Sequence, residues 1–245
     1  MTSGRPMKKN NKNGDHEISY KYNFKFSDNE EKEFTVTIDK ENLELILTKI
    51  KNPPDWALLN FNRCPICLLN ENEHKYCPAA ISVIDLLEFF RDTASTGKVE
   101  VTLETRERKY SHHTTIQRGL SSIFGVCMAT SGCPVIGKLK PMARFHLPFA
   151  TSEETTCRAM SMYLLGQYFS QFRNKKPDWK LKNLEKIYKD IHEVNQHFAR
   201  RLQDFSKKDA NINALIILDT FAHFVLFELD HRMLNELENI FQVYL

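Results

Sequence analysis

The sequence predicts an α+β protein in which an N-terminal antiparallel or mixed sheet of four to five strands, with one or two helices, packs on a C-terminal layer of long helices. Three observations predict it. Apolar residues alternate with polar ones through much of the first half, helical spacing takes over after Thr115, and no strand-helix-strand unit repeats.

Ile18, Tyr20, Tyr22, Phe24 and Phe26 occupy every second position, and Phe34, Val36 and Ile38 resume the pattern after the polar stretch Ser27 to Lys32. Period two on both sides of a polar turn reads as a β-hairpin. Asp39 is placed to cap a short helix through Leu43, Ile46 and Leu47, and Pro53-Pro54 stops what precedes it. Trp56 to Phe61 reads as a third strand leading into the cysteines. Ile81, Ile84, Leu87 and Phe90 have helical spacing, ending near Gly97. Val99, Val101, Leu103 and Thr105 then form a further strand that runs on toward Tyr110.

Beyond Thr115 the signals are helical. Ile116, Leu120, Ile123, Phe124 and Cys127 share one face, and Pro134 and Pro141 punctuate an irregular segment. Thr151 with Glu154 three residues later is a capping box opening a helix to about Phe172. Leu181 to Phe205 and Asn211 to Phe241 complete the helical layer. The chain thus divides into a flexible basic tail (1–15), a sheet-containing half with the cysteines (16–113) and a helical half (114–245), the last two interlocked as one unit.

Charge and composition exclude several functions. The formal charge is +3, but Arg5, Lys8, Lys9 and Lys12 all precede the first acid, Asp15, so the body has no basic excess for nucleic acid. Met1 to Gly14 contains no apolar core of a signal peptide. Ala214 to Leu229, 16 residues interrupted by Asp219, His223 and Glu228, reads as a buried core helix and not as a membrane span. A cytoplasmic location follows as the expectation, with the six cysteines reduced. There is no glycine-rich phosphate loop, dinucleotide turn, His-Glu-x-x-His or nucleophile elbow.

The chemistry concentrates on cysteine. Cys64-Pro-Ile-Cys67 is a C-x2-C knuckle, whose turn aims both sulfurs at one ion, and Cys77 follows with His74 two residues before it. Cys64, Cys67, His74 and Cys77 are sufficient for a closed tetrahedral zinc site. Cys64, Cys77 and Cys133 are each followed by proline, where random order predicts roughly 0.2 such pairs, and Cys-Pro also recurs in bacterial iron–sulfur runs. A [4Fe–4S] cluster on Cys64, Cys67, Cys77 and Cys133 is therefore the rival to zinc, and Cys133 competes with His74 for the fourth ligand position. A helix starting at Pro134 would aim its positive end at the Cys133 thiol and lower its pKa, which makes Cys133 the candidate reactive thiol. Cys127 and Cys157 fall on apolar helix faces and read as core. Asp219 and His223, one turn apart, read as a hydrogen-bonded pair.

Cys64-Pro-Ile-Cys67, Tyr76-Cys77-Pro78, Met128-Ala-Thr-Ser-Gly-Cys-Pro134, Arg144-Phe-His-Leu-Pro-Phe149 and Ser161-Met-Tyr-Leu-Leu165 together resemble an uncharacterised bacterial domain-of-unknown-function family, over about residues 17 to 230. The resemblance carries no activity, ligand or partner with it. The expected function is a non-enzymatic regulatory or interaction module with a cysteine-based metal site and a protein partner. The alternative is a thiol- or iron–sulfur-dependent redox protein or enzyme using Cys133.

Overall fold

The computed structural model describes residues 16–48, 50–203, 205–231 and 234–245, so the basic tail 1–15 lies outside the described residues. Strands β1 (Glu17–Phe26), β2 (Glu31–Asp39), β3 (Lys98–Glu104) and β4 (Lys109–Thr115) form one antiparallel sheet in the order β2-β1-β3-β4. The α+β class holds, and alternation explains the sheet. Tyr20, Tyr22, Phe24, Val36, Ile38, Val99, Val101 and Leu103 are buried, while their polar neighbours along each strand are more exposed.

Two strands differ from the sequence reading. Trp56 to Phe61 makes a 3₁₀ turn at Asp55–Ala57 and a single bridge between Leu58 and Tyr76, so it is no member of the sheet. β4 replaces it as the fourth strand. Its sequence Lys-Tyr-Ser-His-His-Thr-Thr has no apolar alternation, because it is an edge strand that the reading could not see by burial. Backbone pairing with β3 places it, after a turn in which the Thr105 amide donates to the Arg108 carbonyl at 2.9 Å.

The helix expected after Asp39 is also absent. The Asp39 carboxylate accepts from the Glu41 and Asn42 amides at 2.8 and 3.0 Å, but Leu43 has φ of 56°, and Ile38 bridges to Leu45. Asp39 closes a turn instead of starting a helix. Helices α1 (Pro78–Ile81) and α2 (Ile84–Phe89) split the segment read as one helix.

α3 (Ile116–Thr130) lies between the sheet and the remaining helices. Gly119 permits its approach to the sheet, because a Cβ there would sit 2.7 Å from Val101 and 2.9 Å from Phe24. After a 3₁₀ turn at Ile136–Leu139 come α4 (Lys140–Arg144), α5 (Ser152–Gln171), α6 (Lys182–Gln203), α7 (Ala210–His231) and α8 (Leu234–Phe241). The capping box is present: Glu154 N donates to Thr151 Oγ1 and Thr151 N to Glu154 Oε2. α7 is long and apolar enough to cross a membrane by length and composition; it packs against α3, α5 and α6 on one side and leaves Ile216 and Phe227 exposed.

Candidate metal centre

Three chain segments meet where the sheet-containing half joins α6. The first is the knuckle, closed by the Cys67 amide donating to the Cys64 carbonyl at 3.0 Å. Arg63 braces it from outside, donating to the Leu69 carbonyl and pairing with Glu71, each at 2.6 Å. The second is Cys77, held by its amide on the Ala57 carbonyl at 2.8 Å and by the Leu58–Tyr76 bridge, immediately before Pro78 opens α1. The third is Cys133, which follows α3. Gly132 has φ of 92° there, and a Cβ on it would be 4.0 Å from Pro78, so the two Cys-Pro turns abut. Left-handed backbone at this point favours glycine.

The thiols lie near enough to one another for their charges to interact. Burial pushes Cys64 up to about 12, with Cys77, Cys133 and Cys67 adding to the rise and Arg201 opposing it. Burial also raises Cys77 and Cys133, and each is raised further by neighbouring cysteines of the set. The amides of Ala79 and Ala80 face the Cys77 sulfur, and those of Val135 and Ile136 face Cys133, pulling both thiols down by less than burial raises them. Neither contact is a cap hydrogen bond of ordinary geometry around Cys77. The lowered Cys133 pKa expected from a helix start is therefore corrected: Pro134 opens a turn and a 3₁₀ segment, and desolvation outweighs the amides. Such a thiol is a poor free nucleophile.

His74 is exposed, just after the turn at 71–73, and the charge influences on the thiols come from one another and from Arg201. Cys127 is fully buried on α3 and Cys157 is half-buried on α5. Among the described residues, the group of three or more His, Cys, Asp and Glu ligand atoms lying within 4.8 Å of one another is His192, Asp219 and His223. In that group His192 Nδ1 bonds Asp219 at 2.7 Å and its Nε2 contacts Gln196 at 3.0 Å, so both ring nitrogens already have partners. Among the described residues, no three cysteine sulfurs all lie within 4.8 Å of one another. A tetrahedral zinc with Zn–S bonds of about 2.3 Å draws its sulfurs to about 4 Å from one another, whereas a [4Fe–4S] cube holds its thiolates further apart, because each binds a different iron.

Arg201 is the residue that sequence reasoning missed. Its side chain is on α6, only 2% exposed, and Nη1 donates to the Trp56 and Leu58 carbonyls at 2.6 Å each. No carboxylate lies within ion-pair distance of it among the described residues. Burial lowers its pKa, and Cys77, Cys64 and Cys67 are the groups whose charge would support its cation. A signal was present in the sequence. Arg201 follows Val194 by seven residues and falls on the same buried stripe of α6 as Ile191, Phe198 and Leu202.

A family model described as a domain of unknown function, DUF6901, matches residues 18–242. The chain belongs to that family. No curated protein and no solved structure matches it. The family carries no activity, so any function for this DUF6901 chain rests on its own geometry.

Proposed function

We propose that Cys64, Cys67, Cys77 and Cys133 hold a metal centre, an iron–sulfur cluster, in a cytoplasmic regulatory or interaction protein that is not an enzyme. Arg201 carries this reading. A buried guanidinium without a counter-charge is costly, and breaking a buried ion pair costs about 3–5 kcal/mol. Four neutral thiols leave that cation unmatched. Four thiolates on a cluster or on a zinc ion alike leave the centre anionic, and Arg201 then becomes its counter-ion. The backbone amides facing Cys77 and Cys133 supply the N–H donors that stabilise such sulfurs.

The four-cysteine set takes precedence over the His74 set, since His74 is exposed and Cys133 abuts Cys77 through Pro78. The centre would tie the irregular 55–78 segment to α6, so that its loading state controls how that surface is presented to a partner. The second reading is a structural zinc, favoured by the C-x2-C turn itself.

Anaerobically purified protein tests both readings by metal and sulfide analysis with absorption and electron paramagnetic resonance spectra. The cluster predicts about four iron and four acid-labile sulfide per chain. About one zinc without sulfide would replace it with the second reading. Folded protein without metal after anaerobic purification and reconstitution would overturn both.

A further inference from the structure

A second site lies away from the cysteines. Between α3, the segment Ile136 to Ala150 and helices α5, α6 and α7 is a partly open cavity of about 160 Å³. Its wall is mainly apolar, with Gly125, Ile136, Leu218 and Ala222 among its residues. A cavity of about 150 Å³ lined by apolar side chains accepts benzene, so this one has room for a ring-sized body.

The charged groups on the wall are of one sign. Two arginines, Arg118 and Arg158, line the cavity, and no Asp or Glu does. Arg158 Nη2 donates to the Met142 and Phe145 carbonyls at 3.1 and 2.6 Å, leaving Nε and Nη1 without a protein acceptor among the described residues. No carboxylate is within ion-pair distance among the described residues. Glu154, whose charge reaches Arg158, is engaged in the capping box at Thr151. Tyr188 and Asn195 are each 4% exposed, line the cavity, and have no side-chain hydrogen-bond partner among the described residues. Their polar atoms are not sealed from water, so a ligand in the cavity would take the place of water on them; Asn195 also lines the groove between α6 and α7.

The positions give the ligand a direction. Tyr188 is close enough to Arg158 for their charges to interact, and Asn195 lies seven residues further along the same face of α6, about 10 Å of helix away. His146, which also lines the wall, has its Nε2 engaged by Tyr22 and Ser122 at 2.5 and 3.4 Å. We infer that this cavity binds a small aromatic monocarboxylate, its carboxylate on Arg158 and the Tyr188 hydroxyl, its ring among Ile136, Leu218 and Ala222, and a polar substituent opposite the carboxylate on Asn195. The Arg144-Phe-His-Leu-Pro-Phe149 segment then acts as part of the ligand wall. This inference does not rest on the metal centre: Arg158, Tyr188 and Asn195 carry it, and only Ile136 is common to both, its amide facing Cys133.

Titration calorimetry of the full chain with benzoate, 4-hydroxybenzoate and 4-hydroxybenzamide tests it. The acids bind, 4-hydroxybenzoate tighter than benzoate, and the neutral amide is at least about tenfold weaker, as expected for loss of a charge-assisted bond. Arg158→Met weakens both acids by about tenfold or more, while Asn195→Leu removes the difference between them. Tyr188→Phe, which deletes one oxygen and leaves the packing intact, weakens both acids and serves if Arg158→Met does not fold. Absence of binding by all three compounds at millimolar concentration overturns the inference, as does equal affinity for the acid and the amide.

Discussion

The sheet–α3 core is buried and the cysteine corner is half-buried around a buried Arg201, and the two satisfy their polar groups in different ways. In the core, Tyr22 contacts Ser122 at 3.0 Å and His146 at 2.5 Å, and Tyr20 donates to the Ala143 carbonyl at 2.8 Å. Burial, with Arg158 adding, holds His146 down to about 3, so the ring is neutral and its network needs no ion. The aromatic packing of Phe24, Phe34 and Phe90 surrounds that network with rings 5.2 to 5.9 Å apart. The cysteine corner has a buried cation, an irregular backbone and thiols pushed above their ordinary range. The core meets its polar groups with neutral partners, whereas the corner meets its buried cation with two backbone carbonyls and no carboxylate among the described residues; under the proposed function, thiolates would supply the missing counter-charge.

The largest effect expected from this contrast is a crossing of signs at Arg201. Arg201→Met should destabilise the metal-loaded protein by about 3 kcal/mol or more, because the anionic centre loses its counter-ion. In the metal-free protein the same change should be neutral or stabilising, since an unmatched buried charge is removed. Urea unfolding of both variants, with and without chelation under anaerobic conditions, measures the four corners. Equal destabilisation in both states would show that Arg201 acts through its carbonyl contacts alone.

His146 sharpens the other side of the comparison. Its folded pKa of about 3 lies below the ordinary 6.5, so it adds stability that is present above pH 6.5 and is lost as pH falls toward 3. Between pH 6.5 and 5 this group alone should cost about 2 kcal/mol, at about 1.4 kcal/mol per unit. His146→Gln should flatten that part of the urea midpoint profile. An unchanged slope would place the titrating group elsewhere.

The smallest effect concerns the junction of the Cys-Pro turns. Gly132→Ala should cost about 1 kcal/mol, from the left-handed backbone and not from a clash, since the nearest atom to the new Cβ is Pro78 at 4.0 Å. Metal content should fall with it if Cys133 is a ligand, and thermal unfolding combined with metal analysis separates the two outcomes.

Sequence alone determined the elements whose signals are local. The period-two runs of β1, β2 and β3, the Thr151–Glu154 capping box and the helical stripes of α3 and α6 are visible because each element buries a face repeated within a few residues. The knuckle and the Cys-Pro pairs were visible for the same reason. β4 was not, because an edge strand can be placed by backbone pairing without an apolar face. Trp56 to Phe61 alternates like a strand, but it spends its carbonyls on Cys77 and Arg201, partners at short and long range that no local pattern encodes. Tertiary structure alone brought Cys133 beside Cys77, set Arg201 beneath the thiols and made desolvation outweigh the amides at Cys133. Each depends on which distant groups exclude water from the same small volume, and that is decided by packing of the whole chain.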